Sequence, residues 1–215
     1  MSEWEQVRDR TEQYTDRVLN GLTERWGDHE RRASFTYESP GHDPDEPPTS
    51  FERQVAIVGG IVSVVVWYTD ERRETVLVYN PAGGWEPPGG RIEPGQTPEE
   101  MARTEAREET GLDIELTDLC YTIRFEYEYD SGHTVELPLA QFTGRRTDGH
   151  LQVEREGNTH PEVSRAHPGL SRATGLFDAE TLPEMRRERE LIVDRMADPP
   201  EFDETESWRE TPSES

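Results

Sequence analysis

Residues 54 to 68 read QVAIVGGIVSVVVWY, the densest apolar run in the chain. An unfolded chain has little use for such a run. A short β-branched stretch bounded by turn residues reads as a buried strand. Val55 to Tyr68 is therefore expected to form a buried strand, broken at Gly59-Gly60. This run decides between two readings of the composition. The hydrophobic share is 31% and the formal net charge is -24, which together would ordinarily indicate disorder. A core strand requires a core, so the chain reads as a folded domain with a very acidic surface. A length of 215 residues suits one domain with appendages. About 140 ordered residues can bury roughly two-thirds of their unfolded surface.

The basic residues narrow the setting. All 23 are arginine and none is lysine. An acidic composition that is free of lysine resembles that of cytosolic proteins from salt-loving archaea. Such acidity argues against nucleic acid as a partner, which needs basic stripes. No apolar run approaches the ~18 residues of a membrane span, and MSEWEQVRDR lacks the layout of a secretion signal. Cys120 is the single cysteine, so no intrachain disulfide framework exists. The expected compartment is the cytoplasm.

Along the chain, residues 3 to 26 predict an amphipathic helix with Trp4, Val7, Tyr14, Val18, Leu22 and Trp26 on one stripe. That stripe has two candidate partners, the chain's own domain or a second copy in a homodimer. The expected division is 1–38 for this helix and its extension, 39–51 for a Pro-rich linker, 52–196 for the main domain and 197–215 for a disordered acidic tail. Within the domain, 75–80 predicts a strand after the polar turn 69–74. Residues 121–130 alternate Tyr121, Ile123, Phe125, Tyr127 and Tyr129 with polar residues, the period of a half-buried strand. They pair through 131–133 with a strand over 134–144. A long polar loop is expected over 145–175 and a last helix over 182–196.

The segment GGRIEPGQTPEEMARTEAREETGL, 89 to 112, carries the chemistry. Thr97, Pro98 and Glu100 form a capping-box start, and Gly111 supplies a left-handed stop. On the helix between them Glu105, Glu108 and Glu109 project from one face. Arg103 and Arg107 lie about 160° and 200° round from Glu105 at the helical period, so the nearest arginines cannot neutralise the cluster. Like charges at this spacing repel by roughly 0.2–0.5 kcal/mol per pair. Carboxylates kept from their own arginines suit a hard cation such as Mg²⁺, which shares oxygen ligands between protein and substrate phosphates. Ahead of the helix, WEPPGG stiffens a turn, and Gly89 or Gly90 can offer a carbonyl. A solvated acidic face is the competing reading in a chain with 47 acids; the ordered caps and glycine loop weigh against it.

Residues 89–112 resemble the Nudix box: glycine, five residues, glutamate, seven residues, then arginine-glutamate-aliphatic-any-glutamate-glutamate-any-glycine-aliphatic. Gly90, Glu105, Ala106, Glu108, Glu109, Gly111 and Leu112 match. WEPPGG before the box and GLFDAETLPE (175–184) after it look like the family's flanks. The resemblance implies an α/β fold, an α/β/α sandwich around a mixed β-sheet, here with the extra N-terminal helix. It implies Mg²⁺- or Mn²⁺-dependent hydrolysis of a nucleoside diphosphate linked to another moiety, a nucleotide-derived small molecule. Carried over, Glu105 and Glu109 become catalytic residues and chief metal ligands. Glu108 assists, Gly89 gives a carbonyl, and Glu105 alternatively positions or deprotonates the attacking water. Two positions depart: Gln96 stands for the first glutamate and Thr104 for the arginine. They keep open a domain that binds nucleotide as a sensor without turnover.

Weaker candidates complete the reading. Arg91, Arg145 and Arg146 could meet phosphates, with Arg91 the substrate-binding choice. Glu154, Glu156 and Glu162 could add a ligand or base from the polar loop. Trp85 could stack on a base, although packing under the glycine loop is the simpler role. Tyr127 and Tyr129 fall near a substrate-class position but belong to an alternating strand. GLSRA (169–173) lacks the features of a nucleophile elbow. Non-hydrolytic isomerase chemistry would need an acid-base group such as Cys120.

Overall fold

The computed structural model describes residues 2–38, 43–44, 46–80, 84–151, 174–185 and 188–197. The first helix, α1 (Glu3–Trp26), opens on a capping box between Ser2 and Glu5 and stops at Gly27. Its stripe lies on the chain's own sheet: Val7 and Leu22 are buried, and Val18 and Trp26 pack against the same core. Two short strands follow, β1 (Glu30–Arg32) and β2 (Thr36–Glu38), both parallel to a strand from the far side of the sequence.

The apolar run divides differently from expectation. Ser50 caps a helix, α2 (Phe51–Ile57), by accepting from the Arg53 N–H, and only after Gly60 does the strand β3 (Ile61–Trp67) begin. Val55, Ala56 and Ile57 are therefore helical. A short apolar run fits helix and strand alike by periodicity, and here the serine cap upstream decides it. β3 is buried on both faces: Val62, Val64 and Val66 join one cluster, and Val65 and Trp67 join another.

The turn after Trp67 leads to β4 (Thr75–Asn80), β5 (Gly84–Glu86) and β6 (Gly89–Arg91). Then come the helix α3 (Pro98–Thr110) and a long hairpin of β7 (Leu112–Glu128) and β8 (Thr134–Gly149). β9 (Thr174–Phe177) and the helix α4 (Arg189–Ala197) complete the described chain. Along the sheet the order is β1-β7-β8-β3-β4-β5, with β2 also on β7, β6 also on β3 and β9 also on β4. β3 runs parallel to β8 and antiparallel to β4 and β6, so the sheet is mixed. Leu22 of α1 and Met101, Ala102 and Ala106 of α3 pack with Val62, Val64 and Val66. Ile192 of α4 packs with Val65 and Trp67. Side chains alternate across a strand, so helices cover both faces of the sheet, the expected α/β sandwich.

β7 is longer than its alternation suggested, starting at Leu112 rather than near Tyr121. Its register against β8 slips between Leu116 and Asp118 and again between Leu119 and Tyr121, leaving Thr117 and Cys120 as bulge residues. Leu112, Ile114, Leu116 and Leu119 thus stay in the cluster with α3. After the second bulge, Tyr121, Ile123, Phe125, Tyr127 and Tyr129 enter a different cluster with Trp4 and Phe35. β8 likewise takes in residues 145–149, expected as loop. β9 pairs with β4 over residues 174–177, the first two of them expected as loop. The last helix begins at Arg189, later than expected, and Leu182, outside it, is buried with Trp67 and Leu77. The polar segment 152–173, with Glu154, Glu156, Glu162 and GLSRA, lies outside the described residues, as does the tail from 198.

Candidate active site

α3 forms because both ends are locally determined. The Thr97 N–H donates to Glu100 Oε2 (2.8 Å), and the Glu100 N–H donates to Thr97 Oγ1 (3.2 Å). Gly111, at φ 77°, closes the helix by donating to the Arg107 carbonyl (2.9 Å), the left-handed cap that glycine adopts without strain. Met101, Ala102 and Ala106 bury the inner face, and the alanines let α3 approach the sheet closely. The arginines stand apart from the glutamates, as the helical projection required. Arg107 pairs with Asp113 (3.0 Å), and Arg103 donates to the Glu99 carbonyl (3.1 Å).

The glutamates meet the glycine strand. The Gly89 N–H donates to Glu109 Oε2 (2.9 Å). Glu105 lies against Gly90 so closely that a Cβ there would fall within its carboxylate. β6 is held by its pairing to β3, Val62 opposite Gly90 and Ser63 opposite Gly89, while the Val64 N–H donates to the Pro88 carbonyl (2.9 Å). Burial first, then Glu109, Glu108 and Glu93 in turn, push the Glu105 carboxyl up to about 7. Glu108 is exposed on the same helix. Glu93, an exposed residue in the turn after β6, escaped the sequence reading. Its acid type and position ahead of Gln96 were legible, but among so many acids they carried no signal.

The donor set fits a dication. Three carboxylates and a glycine backbone are all hard oxygen donors, and burial, then the negative charge of Glu109, Glu108 and Glu93, raises the Glu105 carboxyl. Among the described residues, no three His, Cys, Asp or Glu side chains converge closely enough to hold a metal ion alone. The Gly89 carbonyl, water and substrate oxygens would complete the shell, as is usual for Mg²⁺. At the position of the family's first glutamate, Gln96 has its Oε1 buried without a hydrogen-bond partner among the described residues. Thr104 is half-buried.

The other candidates are engaged elsewhere. Arg91 forks onto Asp43, Nη1 to Oδ1 at 2.9 Å and Nη2 to Oδ2 at 2.7 Å, and donates to the Ile57 carbonyl (2.8 Å). The structure thus gives the residue chosen for substrate binding an intramolecular carboxylate. Arg145 pairs with Glu115 (2.6 Å), and Arg146 donates to the Gly149 carbonyl (2.6 Å) and covers the Tyr68 ring. Trp85 packs edge-on between Tyr79 and Phe177. Tyr127 and Tyr129 are buried. Burial pushes the Cys120 thiol up to about 11, so it stays protonated and offers isomerase chemistry no thiolate.

A NUDIX domain model matches residues 60–196. The chain belongs to the NUDIX domain family. It is 40% identical over 96 residues to an RNA pyrophosphohydrolase of Erythrobacter litoralis, an alignment covering 38% of this chain and 56% of that protein. The chain thus spans little more than half the length of this curated relative. A NUDIX-family hydrolase of Clostridium perfringens is similar with a TM-score of 0.45 and 18% identity, over 65% of this chain and 96% of that one. The dihydroneopterin triphosphate pyrophosphohydrolase of E. coli is similar with a TM-score of 0.45 and 17% identity, over 65% and 95%.

Proposed function

We propose that this chain is a metal-dependent hydrolase that cleaves a pyrophosphate linkage in a nucleoside diphosphate joined to another moiety. The observation that carries the reading is the junction of α3 and β6. There Glu109 is fixed by the Gly89 N–H and Glu105 is seated on Gly90 with its carboxyl near neutrality. Glu105, Glu109 and Glu108, with the Gly89 carbonyl, would hold Mg²⁺ or Mn²⁺. That ion supplies charge neutralisation at the phosphate oxygens. The chain's own part is to orient and to move a proton. In its alternative role Glu105 leaves the ion to Glu109, Glu108 and the Gly89 carbonyl and takes a proton from the attacking water; without an ion, burial and the neighbouring glutamates push its carboxyl up to about 7. Water then bonds to phosphorus as the bridging P–O bond breaks.

Two arguments favour a small nucleotide over RNA, despite the name of the relative. With 47 acidic residues against 23 arginines, few cations are left to line the length of a polyanion, whereas a small substrate meets only the site. Arg145 and Arg91, which could have tracked a backbone, are spent on Glu115 and Asp43. The lysine-free acidic composition further supports a salt-rich cytoplasm as the setting. A nucleotide sensor without turnover is the second reading, favoured by the unpartnered Oε1 of Gln96 and by Thr104.

The test is incubation in molar KCl with Mg²⁺ or Mn²⁺ against ADP-ribose, dinucleoside polyphosphates, NADH, NTPs and a 5′-triphosphorylated oligoribonucleotide, with products followed by mass spectrometry. Metal-dependent cleavage of a small substrate, lost at least 100-fold in Glu109→Gln, is the expected result. Nucleotide binding without any product would replace the hydrolase reading by the sensor. Full turnover in Glu109→Gln would move the site elsewhere.

A further inference from the structure

The segment ahead of the family-matched residues reaches into the candidate site at two points. At the end of α1, the Arg25 guanidinium grips Glu99 in the first turn of α3, Nε to Oε1 at 2.6 Å and Nη2 to Oε2 at 3.1 Å. The neighbouring Trp26 indole N–H donates to the same Oε1 (3.0 Å). Glu99 is 9% exposed. Burial pushes its carboxyl up, but the bonds from Arg25 and then Trp26 outweigh that and hold it below the usual value. Trp26 also packs on Phe142 of the sheet, and Thr15 and Asp16 tie α1 to Glu136 and Arg124. The grip on α3 therefore comes from a helix that is itself fixed.

The second point lies on β6. Arg91 directly follows Gly89-Gly90, and both its terminal nitrogens bond the Asp43 carboxylate. The Asp43 side chain is only 6% exposed and also accepts from the Tyr127 hydroxyl. Arg91 donates in addition to the carbonyl of Ile57 at the end of α2. A bidentate fork fixes direction as well as distance.

The two elements so gripped are the two sides of one contact, Gly89 N–H to Glu109. We propose that Arg25, Trp26 and Asp43 are positioning residues for the carboxylate site: residues before 60 hold α3 and β6 in the register that sets Glu109 on Gly89 and Glu105 on Gly90. The anchors touch neither carboxylate of the site and act through Glu99 and Arg91. This rests on the reading of that site as a metal site given above. A displacement of about 1 Å at such a site is enough to matter.

The test uses the full chain in molar KCl, with Arg25→Gln/Trp26→Phe for the first anchor and Asp43→Asn for the second. Both keep shape while removing donors or charge. Amide exchange by NMR compares Gly89 with Val65 in the core strand, and Mn²⁺ affinity is measured alongside. The expected result is at least tenfold faster exchange at Gly89 relative to Val65, with Mn²⁺ bound at least fivefold more weakly. Arg25→Lys and Asp43→Glu should recover part of both. An unchanged Gly89-to-Val65 ratio overturns the proposal, because the anchors then serve global stability alone. So does a raised ratio with Mn²⁺ affinity intact. If the wild type binds no Mn²⁺, the metal-site reading falls, and the exchange ratio by itself still decides the anchoring.

Discussion

Glu105 is where burial, charge and chemistry meet on one side chain. Its carboxyl is pushed up to about 7 from the ordinary 4.5, so the fold prefers its neutral form. The raised value fixes the sign. Below about pH 4.5 folded and unfolded chains are both protonated there and no penalty exists. Between 4.5 and 7 the unfolded chain ionises first, and above 7 the folded chain carries the full cost. That cost is on the order of 2–3 kcal/mol after allowance for partial exposure. Thermal melts in EDTA should therefore show Glu105→Gln more stable than wild type by about 5–10 °C at pH 8, with most of the difference gone at pH 5. Equal melting at both pH values would mean that Glu105 is not strained by its neighbours. The same residue shows what sequence could reveal: its place beside Glu108 and Glu109 followed from helical spacing, but its seat on Gly90 did not.

At the scale of elements, α3 was legible because its cap, period and stop all lie within fifteen residues. β3, β4 and the β7–β8 hairpin were legible in part for the same local reason. Structure departs from local pattern where local signals compete or where distant chain decides. Val55 to Ile57 is apolar enough for either element, and the Ser50 cap made it helix. Residues 112–120 hid a strand because the bulges at Thr117 and Cys120 break its alternation. β1 and β2 exist only as partners of β7, which no local pattern announces. The Gly89 N–H to Glu109 contact joins elements twenty residues apart, and Asp43 to Arg91 spans 48. The junction of β6 with α3 makes its own prediction. Gly90→Ala places a methyl in the Glu105 carboxylate, so calorimetry with Mn²⁺ should show binding at least tenfold weaker. Unchanged Mn²⁺ affinity in Gly90→Ala would contradict the close approach.

The whole molecule carries 47 acidic residues against 23 arginines, and its stability has to answer to ionic strength. Charges on such a surface repel over about 10 Å in 0.1 M salt and over about 3 Å in 1 M. A melting temperature at least 10 °C higher in 2 M KCl than in 0.1 M KCl is expected. A melt indifferent to salt would leave the missing lysines as a matter of codon usage. Several arginines are committed to named carboxylates: Arg25 to Glu99, Arg91 to Asp43, Arg124 to Asp16 and Glu136, Arg145 to Glu115, and Arg195 to Asp118. They act more as joints than as a counterweight to the surface charge.

Two of those joints have a consequence for inheritance. Gene rearrangement tends to trade whole domains, and the family match would place the seam at residue 60. Arg25 with Glu99, and Asp43 with Arg91, lie across that seam. A recombinant that kept the matched portion and took a foreign leader would leave Glu99 and Arg91 as widowed charges beside the glutamates. The pairs tie leader to domain: a change at Arg25 or Asp43 calls for one at Glu99 or Arg91.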